Sequence, residues 1–158
     1  MTGLPEATLR FLEATAHLDI TINPLLFPDG TKTSADAAAA VGCDLAQIAK
    51  SIVFMVDGVP LVVLMSGDRR VDPAKLAAAL GASVAQRATL EEAREHTGYA
   101  AGGTPAFGHP RPVRVLADVS LRRNEHVWSA AGTPTTVYPI ALSDLVAVSS
   151  AEWADVAE

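Results

Sequence analysis

The sequence predicts an α/β fold of the α+β kind, with a mixed, mostly antiparallel, barrel-like sheet surrounded by helices. Hydrophobic segments of strand length follow one another closely enough to pair antiparallel, most clearly 51–56 and 59–65 around Asp57-Gly58. Segments with helical spacing and capping residues lie between these strands. This arrangement favours a mixed sheet or barrel over a doubly wound fold.

Helices are predicted where apolar residues recur at helical spacing or where capping residues occur at the ends of a segment of helical length. The first helix covers much of 4–18, and the later ones begin at a polar cap. The expected caps are Ser34, Asp44 with Gln47, Asp72 followed by Pro73, Thr89 with Glu92, and Ser143, and the expected terminating glycines are Gly42, Gly81 and Gly98.

The clearest strand signal is the hairpin across Asp57-Gly58, a dipeptide that favours a two-residue turn. Pro60 cannot donate a ladder hydrogen bond, so the second strand should start late or lie at a sheet edge there. Shorter strands are expected at 82–86, 113–117, 127–129 and 136–138.

Length and composition predict one domain over residues 1–158, because 49% of the residues are hydrophobic and no linker or repeat divides the chain. The first twenty residues lack a secretory signal, no window could span a bilayer, and Cys43 has no cysteine partner. A cytoplasmic protein without membrane contact is therefore expected. The net charge of −6 gives no global basic footprint, so no DNA binding is expected and any RNA contact must be local or assisted by a partner.

Several familiar sites are excluded. The glycine-rich segment lacks the Lys-Ser or Lys-Thr of a P-loop and the spacing of a dinucleotide fingerprint, and no Gly-x-Ser-x-Gly elbow occurs. The four histidines stand far apart, and only Cys43 could join them, so no zinc site is expected. Cys43 follows a helix-ending glycine with no histidine nearby, which favours a small, at least partly buried thiol over a nucleophile.

Lys50 is the first residue that suggests chemistry. It begins the strand whose next residues on the same face are Ile52 and Phe54, so its stem should lie against apolar groups. Such a lysine can simply emerge into solvent at a strand end. It can also hold an ammonium over a pocket floor, where it would bind an anion or polarise a carbonyl oxygen.

The second feature is the loop 98–110, GYAAGGTPAFGHP, which is long for a compact domain. It can be a connector rich in turn residues. Alternatively, Gly102, Gly103 and Gly108 would let a ligand approach the main chain and leave amide hydrogens free for a developing oxyanion, while Pro105 and Phe107 stiffen the curve.

These residues occur within a series of segments whose order and spacing resemble the YbaK-like aminoacyl-tRNA deacylases, which are related to the editing domain of bacterial prolyl-tRNA synthetase. The resemblance covers about residues 30 to 146. The segments are 33–38 (TSADAA), 47–54 (QIAKSIVF), 66–76 (SGDRRVDPAKL), 97–108 (TGYAAGGTPAFG), 118–121 (DVSL) and 128–134 (WSAAGTP).

The resemblance implies a barrel-like sheet with a pocket that removes a wrongly attached amino acid from tRNA without a metal or cofactor. It implies that Lys50 engages the tRNA end and that Gly102, Gly103 and Thr104 offer backbone groups to the reacting ester. Pro105, Phe107 and Gly108 would continue the pocket lining, and Ser129, Ala131 and Gly132 would belong to a facing loop. A synthetase or elongation factor would deliver the aminoacyl-tRNA.

The facing loop departs from relatives that act on cysteinyl-tRNA for proline, which tend to carry Ser-Gly-Gly followed by an acidic residue. Here Ala130 and Ala131 add methyl groups, and 135–138 (TTVY) contains no acid. Cysteine specificity is therefore not carried over, and alanine or another small amino acid on a noncognate tRNA such as tRNA for proline fits at least as well. The resemblance implies hydrolysis by positioning rather than by a protein nucleophile.

Other possibilities stay open from the residues. The chain could be a non-catalytic module that binds tRNA, a synthetase or a nucleotide-like ligand, or it could hydrolyse a small free ester. Trp128 is expected in the core. A local basic rim would form if the loop arginines converged on one end of the sheet, namely Arg69, Arg70, Arg111, Arg114, Arg122 and Arg123.

Overall fold

The computed structural model describes residues 3–31 and 33–158. Within this part of the chain the helices are α1 (Glu6–Thr15), α2 (Ser34–Val41), α3 (Pro73–Ala79), α4 (Leu90–Thr97) and α5 (Leu142–Ser149), with 3-10 helices at Leu45–Gln47 and Val119–Arg123. The strands are β1 (Leu25–Leu26), β2 (Ala49–Val56), β3 (Val59–Ser66), β4 (Ala85–Arg87), β5 (Arg114–Asp118), β6 (His126–Ala130), β7 (Thr136–Ala141) and β8 (Glu152–Ala154).

The strands form two sheets. The larger has the order β4-β2-β3-β5-β8, antiparallel from β4 to β3 and parallel from β3 to β8. The smaller, β1-β7-β6, is antiparallel, and a parallel bridge between Ile48 and Trp128 links it to the start of β2. The predicted mixed, mostly antiparallel fold with surrounding helices is confirmed, and the described strands form two joined sheets rather than a closed barrel.

The predicted hairpin is confirmed with its turn. Asp57 and Gly58 both have positive φ, 48° and 79°, as a two-residue turn of this handedness requires. The Asp57 carboxylate also accepts hydrogen bonds from the amides of Ser83 and Val84, which holds the start of β4 beside the turn. β3 begins at Val59 rather than late, and pairing with β5 starts only at Leu61, so Pro60 lies at a local edge.

Most predicted helix caps are confirmed, and two are wrong. Thr33, not Ser34, caps α2, and its hydroxyl accepts from the Asp36 amide at 3.0 Å. Helix α5 begins at Leu142 without a side-chain cap, which places Ser143 inside the first turn. The Leu142 amide donates to the Glu125 carbonyl at 2.9 Å, so a tertiary contact satisfies a donor at this helix start.

Strand boundaries differ from the prediction by a few residues, and the short strands β1 and β8 were not predicted. Neither segment has an alternating hydrophobic pattern that would predict a strand. Each adopts strand conformation by pairing with a longer strand, β1 with β7 and β8 with β5. No helix within the described residues has the length and apolar character needed to cross a membrane.

The main core joins α1, the loop 98–110 and both sheets. The Phe11 ring contacts those of Phe107 and Tyr138, with centroids 5.4 and 5.7 Å apart. All three side chains are buried. Because aromatic burial contributes heavily to stability, these contacts fix the loop 98–110 and β7 against the N-terminal helix.

Candidate functional site

A cavity of about 300 Å³ lies where β2 begins, between α2, the turn 101–104 and strands β6 and β7. It takes in Lys50, Gly102, Thr104 and Ser129 of the sequence-predicted site residues. The rest of its lining is Thr31, Thr33, Ser34, Ala37, Ile48, Ala49, Ser51, Ile52, Arg87, Trp128, Ala130 and Val137. The structure thus brings the start of β2, the loop 98–110 and the facing loop, which hold the predicted site residues, to a single concave surface.

Lys50 is half-buried in this cavity, and its ammonium makes no hydrogen bond or ion pair with any residue that the structure describes. Burial lowers its pKa, the positive charges of Arg70 and Arg87 lower it further, and Asp68 opposes them. The ammonium is thus poorly solvated and near two cations. An anion or a strongly polar oxygen entering the cavity would provide the partner that Lys50 lacks.

Two serine hydroxyls in the lining are also without partners. The Oγ atoms of Ser51 and Ser129 are buried, and neither makes a hydrogen bond within the described ranges. Buried hydroxyls are normally satisfied, so an unpartnered one in a cavity is a candidate contact for a ligand. Sequence analysis selected Ser129 and missed Ser51, because a serine in a strand carries no signal of its own.

The turn before Pro105 presents main chain to the cavity. Gly102 has φ of 87° and lines the cavity. The Gly103 amide and the Thr104 hydroxyl both donate to the Ala100 carbonyl at 3.1 Å, which closes the turn. The amides of Gly102 and Thr104 donate to no acceptor in the described parts of the chain, so both stay available to a ligand.

Two of the predicted site glycines, Gly103 and Gly132, lie where two chain segments pack too closely for a side chain. A Cβ atom on Gly103 would lie 2.5 Å from the Cα and carbonyl carbon of Thr133, and one on Gly132 would lie 2.9 Å from the Ala7 carbonyl oxygen. The facing loop is therefore packed between α1 and the turn 101–104. Gly103, Gly132 and the fully buried Ala131 lie behind the cavity surface, whereas Ala130 lines it.

The second half of the loop points away from the cavity. Phe107 is buried against Phe11, and a Cβ on Gly108 would lie 2.7 Å from Thr15 Cγ2. The Pro105 carbonyl contacts His109 Nε2 at 2.8 Å. Pro105, Phe107 and Gly108 are not among the cavity-lining residues, and substrate contact by them stays a prediction.

Trp128 combines two roles. It packs against the small apolar cluster of Ala37, Ile48 and Val137, and it also forms part of the cavity wall. The expectation that Trp128 is a core residue is therefore only partly right. The indole and this cluster add apolar groups to the cavity lining, which also holds the cationic Lys50 and Arg87.

The predicted basic rim forms only in part. Arg70 lies near Lys50, and Arg87, which sequence analysis missed, lines the cavity itself. The other loop arginines have partners: Arg69 and Arg123 contact Asp68, Arg111 donates to the Glu95 carbonyl, Arg114 pairs with Glu152, and Arg122 lies over the Trp153 ring.

A polar network supports the chain just before Lys50. Arg123 donates to both carboxylate oxygens of Asp68, at 2.7 and 3.0 Å, and to Ser66 Oγ at 2.7 Å. Ser66 Oγ in turn donates to the Ala46 carbonyl at 2.7 Å, which also accepts from the Asn124 side chain. The network ties the segment before β2 to the 3-10 helix after β5.

This network predicts a pH-dependent contribution to stability. The Arg123 hydrogen bond holds the pKa of Asp68 at about 2, below its ordinary value of 3.8. A carboxyl with a depressed pKa stabilises the fold when ionised, so the contribution is present above pH 3.8 and is lost as the pH falls toward 2. Because the Asp68 side chain is 32% exposed, we expect Asp68→Asn to cost only about 1 kcal/mol at neutral pH.

Urea unfolding of the wild type and of Asp68→Asn between pH 3 and pH 7 measures the difference in their unfolding free energy. Asp155→Asn is the matched control, because the Asp155 carboxylate is 71% exposed and only 3.8 Å from Lys75 Nζ. We expect the Asp68 difference to shrink toward pH 3 and the Asp155 difference to be small throughout. A cost for Asp68→Asn that does not change with pH would contradict the assignment.

The described cavity lining offers groups that can bind and polarise a ligand. Its lining contains cations, hydroxyls and main-chain groups, and no histidine, cysteine or carboxylate from the described residues. Cys43 is partly buried outside it, and burial raises the pKa of its thiol. Among the residues described, no group of three or more histidine, cysteine and acidic side chains could hold a metal ion.

Comparison with known proteins agrees with this class of site. A profile of the aminoacyl-tRNA editing domain matches residues 28–148, and the chain belongs to that family. The uncharacterized protein YwhH of Bacillus subtilis is 31% identical over 132 residues, which cover 82% of this chain and 83% of YwhH.

Longer relatives contain a similar segment. Proline–tRNA ligase of Geobacter sp. strain M21 is 29% identical over 134 residues, which are 85% of this chain but 23% of the ligase. A crystal structure described as a candidate trans-editing enzyme for prolyl tRNA synthetase superposes with a TM-score of 0.92 at 34% identity, covering 99% of both chains. The sheets and helices described above are therefore the fold of this editing family.

Proposed function

We propose that the protein is an aminoacyl-tRNA deacylase, which hydrolyses the ester of a small amino acid attached to a noncognate tRNA such as tRNA for proline. The observation that carries the proposal is the convergence of an unpaired ammonium, free main-chain amides and an unpartnered hydroxyl on one cavity. These groups belong to Lys50, Gly102 with Thr104, and Ser129. Membership of the editing family and the likeness to proline–tRNA ligases support this choice of reaction and substrate.

Each group has a role in ester hydrolysis. Lys50 binds a phosphate of the tRNA acceptor end or the ester carbonyl, and Arg87 at the same cavity adds positive charge for the nucleic acid. The turn 101–104 directs its amides at the oxyanion that develops as water attacks the carbonyl carbon. The bond between this carbon and the ribose oxygen then breaks, and the amino acid and the tRNA leave.

No protein nucleophile is needed, because an aminoacyl ester is already activated. Holding the ester, a water molecule and the neighbouring ribose hydroxyl in one orientation lowers the barrier substantially. The ribose hydroxyl can pass a proton between the attacking water and the leaving oxygen. The apolar side of the cavity, with Ala37, Val137 and Ala130, receives the amino-acid side chain and favours a small one.

A binding module without catalysis is the second candidate. The absence of a histidine or carboxylate among the described lining residues favours it, because such a group commonly carries the proton in hydrolysis. A synthetase or elongation factor would be the partner in either case.

Hydrolysis of a panel of mischarged tRNAs tests the proposal. Alanine, serine, cysteine and threonine on tRNA for proline, together with alanyl-adenosine lacking the tRNA body, are incubated with the protein alone and with a prolyl-tRNA synthetase. We expect alanyl-tRNA to be cleaved fastest and the larger threonyl ester slowest. Equal cleavage of alanyl-adenosine would point to a small-ester hydrolase, and no cleavage of any substrate would favour the binding module.

A further inference from the structure

Tyr138 carries a hydroxyl that the fold buries without a partner. The residue is fully buried in the main core, and its hydroxyl makes no hydrogen bond to any described residue. A buried hydroxyl without a hydrogen bond is costly, so its retention needs a reason. The ring alone would pack on Phe11 equally well as a phenylalanine.

The position of Tyr138 supplies that reason. In the antiparallel pair of β6 and β7, Tyr138 stands directly opposite Ser129, and directly opposite residues place their side chains on the same face. The Ser129 hydroxyl is the second unpartnered group of this pair, and it lines the cavity. Tyr138 is not among the cavity-lining residues, so its hydroxyl can act on a ligand there only through Ser129.

We propose that Tyr138 is a positioning residue for Ser129: when a ligand occupies the cavity, the phenol donates to Ser129 Oγ, and Ser129 donates its own hydrogen to an acceptor on the ligand. This inference rests on the proposed function for the identity of the ligand. The group that Ser129 meets is then a hydrogen-bond acceptor, and in an aminoacyl ester the carbonyl oxygen is the acceptor that becomes an oxyanion.

The direction of the two hydrogen bonds follows from which groups can donate and which can accept. A phenol hydrogen needs an acceptor, and Ser129, directly opposite in the strand pair and close enough for its hydroxyl to act on the phenol, offers its oxygen. Once Ser129 accepts this hydrogen bond, its own hydrogen is directed into the cavity. Burial raises the pKa of Tyr138, and the nearby Ser129 hydroxyl opposes this in part, so the phenol keeps its proton at neutral pH.

The arrangement also makes Ser129 a better donor. A hydroxyl that accepts one hydrogen bond is polarised and donates the next more strongly. The effect matters most where charge develops, so Tyr138 should influence the chemical step more than the binding of the uncharged ester.

The test compares Tyr138→Phe, Ser129→Ala and the double variant, with Tyr99→Phe as matched control. Tyr99 is the only other tyrosine of the chain, and its ring lies beneath Arg10, outside the cavity lining. Steady-state hydrolysis of alanyl-tRNA for proline gives kcat and KM. Affinity for an alanyl-amide analogue of the terminal adenosine, with nitrogen in place of the ester oxygen, is measured by calorimetry.

We expect Tyr138→Phe to lower kcat about tenfold with little change in KM, as expected for loss of one polarising hydrogen bond. The double variant should be no slower than Ser129→Ala, since Tyr138 acts through Ser129. Stability should stay equal or rise, because an unsatisfied buried hydroxyl is removed. Tyr99→Phe should hydrolyse at the wild-type rate.

The outcomes separate this inference from the proposed function. Wild-type hydrolysis with an unchanged kcat for Tyr138→Phe overturns the inference and leaves the deacylase intact. If the wild type binds the amide analogue without hydrolysing the ester, the deacylase fails. An equal loss of analogue affinity in Tyr138→Phe and Ser129→Ala then still supports the inference, and unchanged affinity overturns it. If the wild type neither binds the analogue nor hydrolyses the ester, both the inference and the deacylase proposal are overturned.

Discussion

Replacing Lys50 with alanine is expected to lower the rate of aminoacyl-ester hydrolysis by about a hundredfold or more, which is typical for removal of one group that stabilises developing charge. Among the described residues, Lys50 is the only lysine in the cavity lining, and its ammonium has no partner there that could keep it from a ligand. Lys50→Met, which keeps an unbranched apolar stem, should show the same loss because the stem alone supplies no charge.

Stability should not account for this loss. The Lys50 ammonium is desolvated and repelled by Arg70 and Arg87, so its removal relieves an unfavourable environment. We expect the Tm of Lys50→Ala to match or exceed that of the wild type. Lys75→Ala is the control, since Lys75 donates to the Ala157 carbonyl at 2.8 Å and is not part of the cavity lining. Hydrolysis by Lys50→Ala within threefold of the wild type would remove Lys50 from the mechanism.

Replacing Gly103 with alanine is expected to cost about 3 kcal/mol of unfolding free energy, the upper range for overpacking a well-packed interior. The new methyl carbon would lie 2.5 Å from two backbone atoms of Thr133, which cannot rotate away as a flexible side chain could. Relief requires the facing loop to move, and Ser129 and Ala130 lie at its start. Hydrolysis should therefore fall together with stability.

Urea unfolding compares Gly103→Ala with Gly81→Ala. Gly81 has φ of 63° but open space around its Cα, so alanine there meets backbone strain without a clash. We expect that control to cost about 1 kcal/mol, because a non-glycine residue at positive φ is strained by roughly that amount. A cost for Gly103→Ala no larger than for Gly81→Ala would show that the facing loop yields easily.

Local signals in the sequence were sufficient for much of the fold. The hairpin at Asp57-Gly58 and the cap at Asp72 depend on nearby residues, and the structure shows both. The sequence could not reveal strand β8, because this strand has no pattern and owes its existence to β5. Helix α5 starts two residues earlier than a cap at Ser143 would place it, since Glu125 from a distant segment accepts its first amide.

The glycines of the loop 98–110 show a different limit. Their number indicated close approach of main chain, and the structure has such approaches, but the sequence did not say what approaches. Gly98 packs on Pro110 and Gly103 on Thr133, whereas Gly102 lines the cavity. A cluster of glycines indicates that another group approaches the main chain closely, but it does not identify that group.

Residues of the site could be predicted from the sequence only where they belong to a recognisable motif. Lys50 and Ser129 belong to segments with recognisable order and spacing, and both line the cavity. Ser51 and Arg87 line it as well, yet each stands in an ordinary strand and reaches the cavity through sheet pairing of β2 and β4. Tyr138 becomes noticeable only when its burial and its place opposite Ser129 are seen together.

Single-turnover hydrolysis of alanyl-tRNA for proline by the wild-type protein, with and without prolyl-tRNA synthetase, tests the central claim most directly. The account predicts first-order loss of the ester far above the spontaneous rate, with prolyl-tRNA left largely intact under the same conditions. Loss of the ester no faster than in buffer, with the synthetase present and the protein folded, would contradict the account and leave a cavity that binds without catalysing.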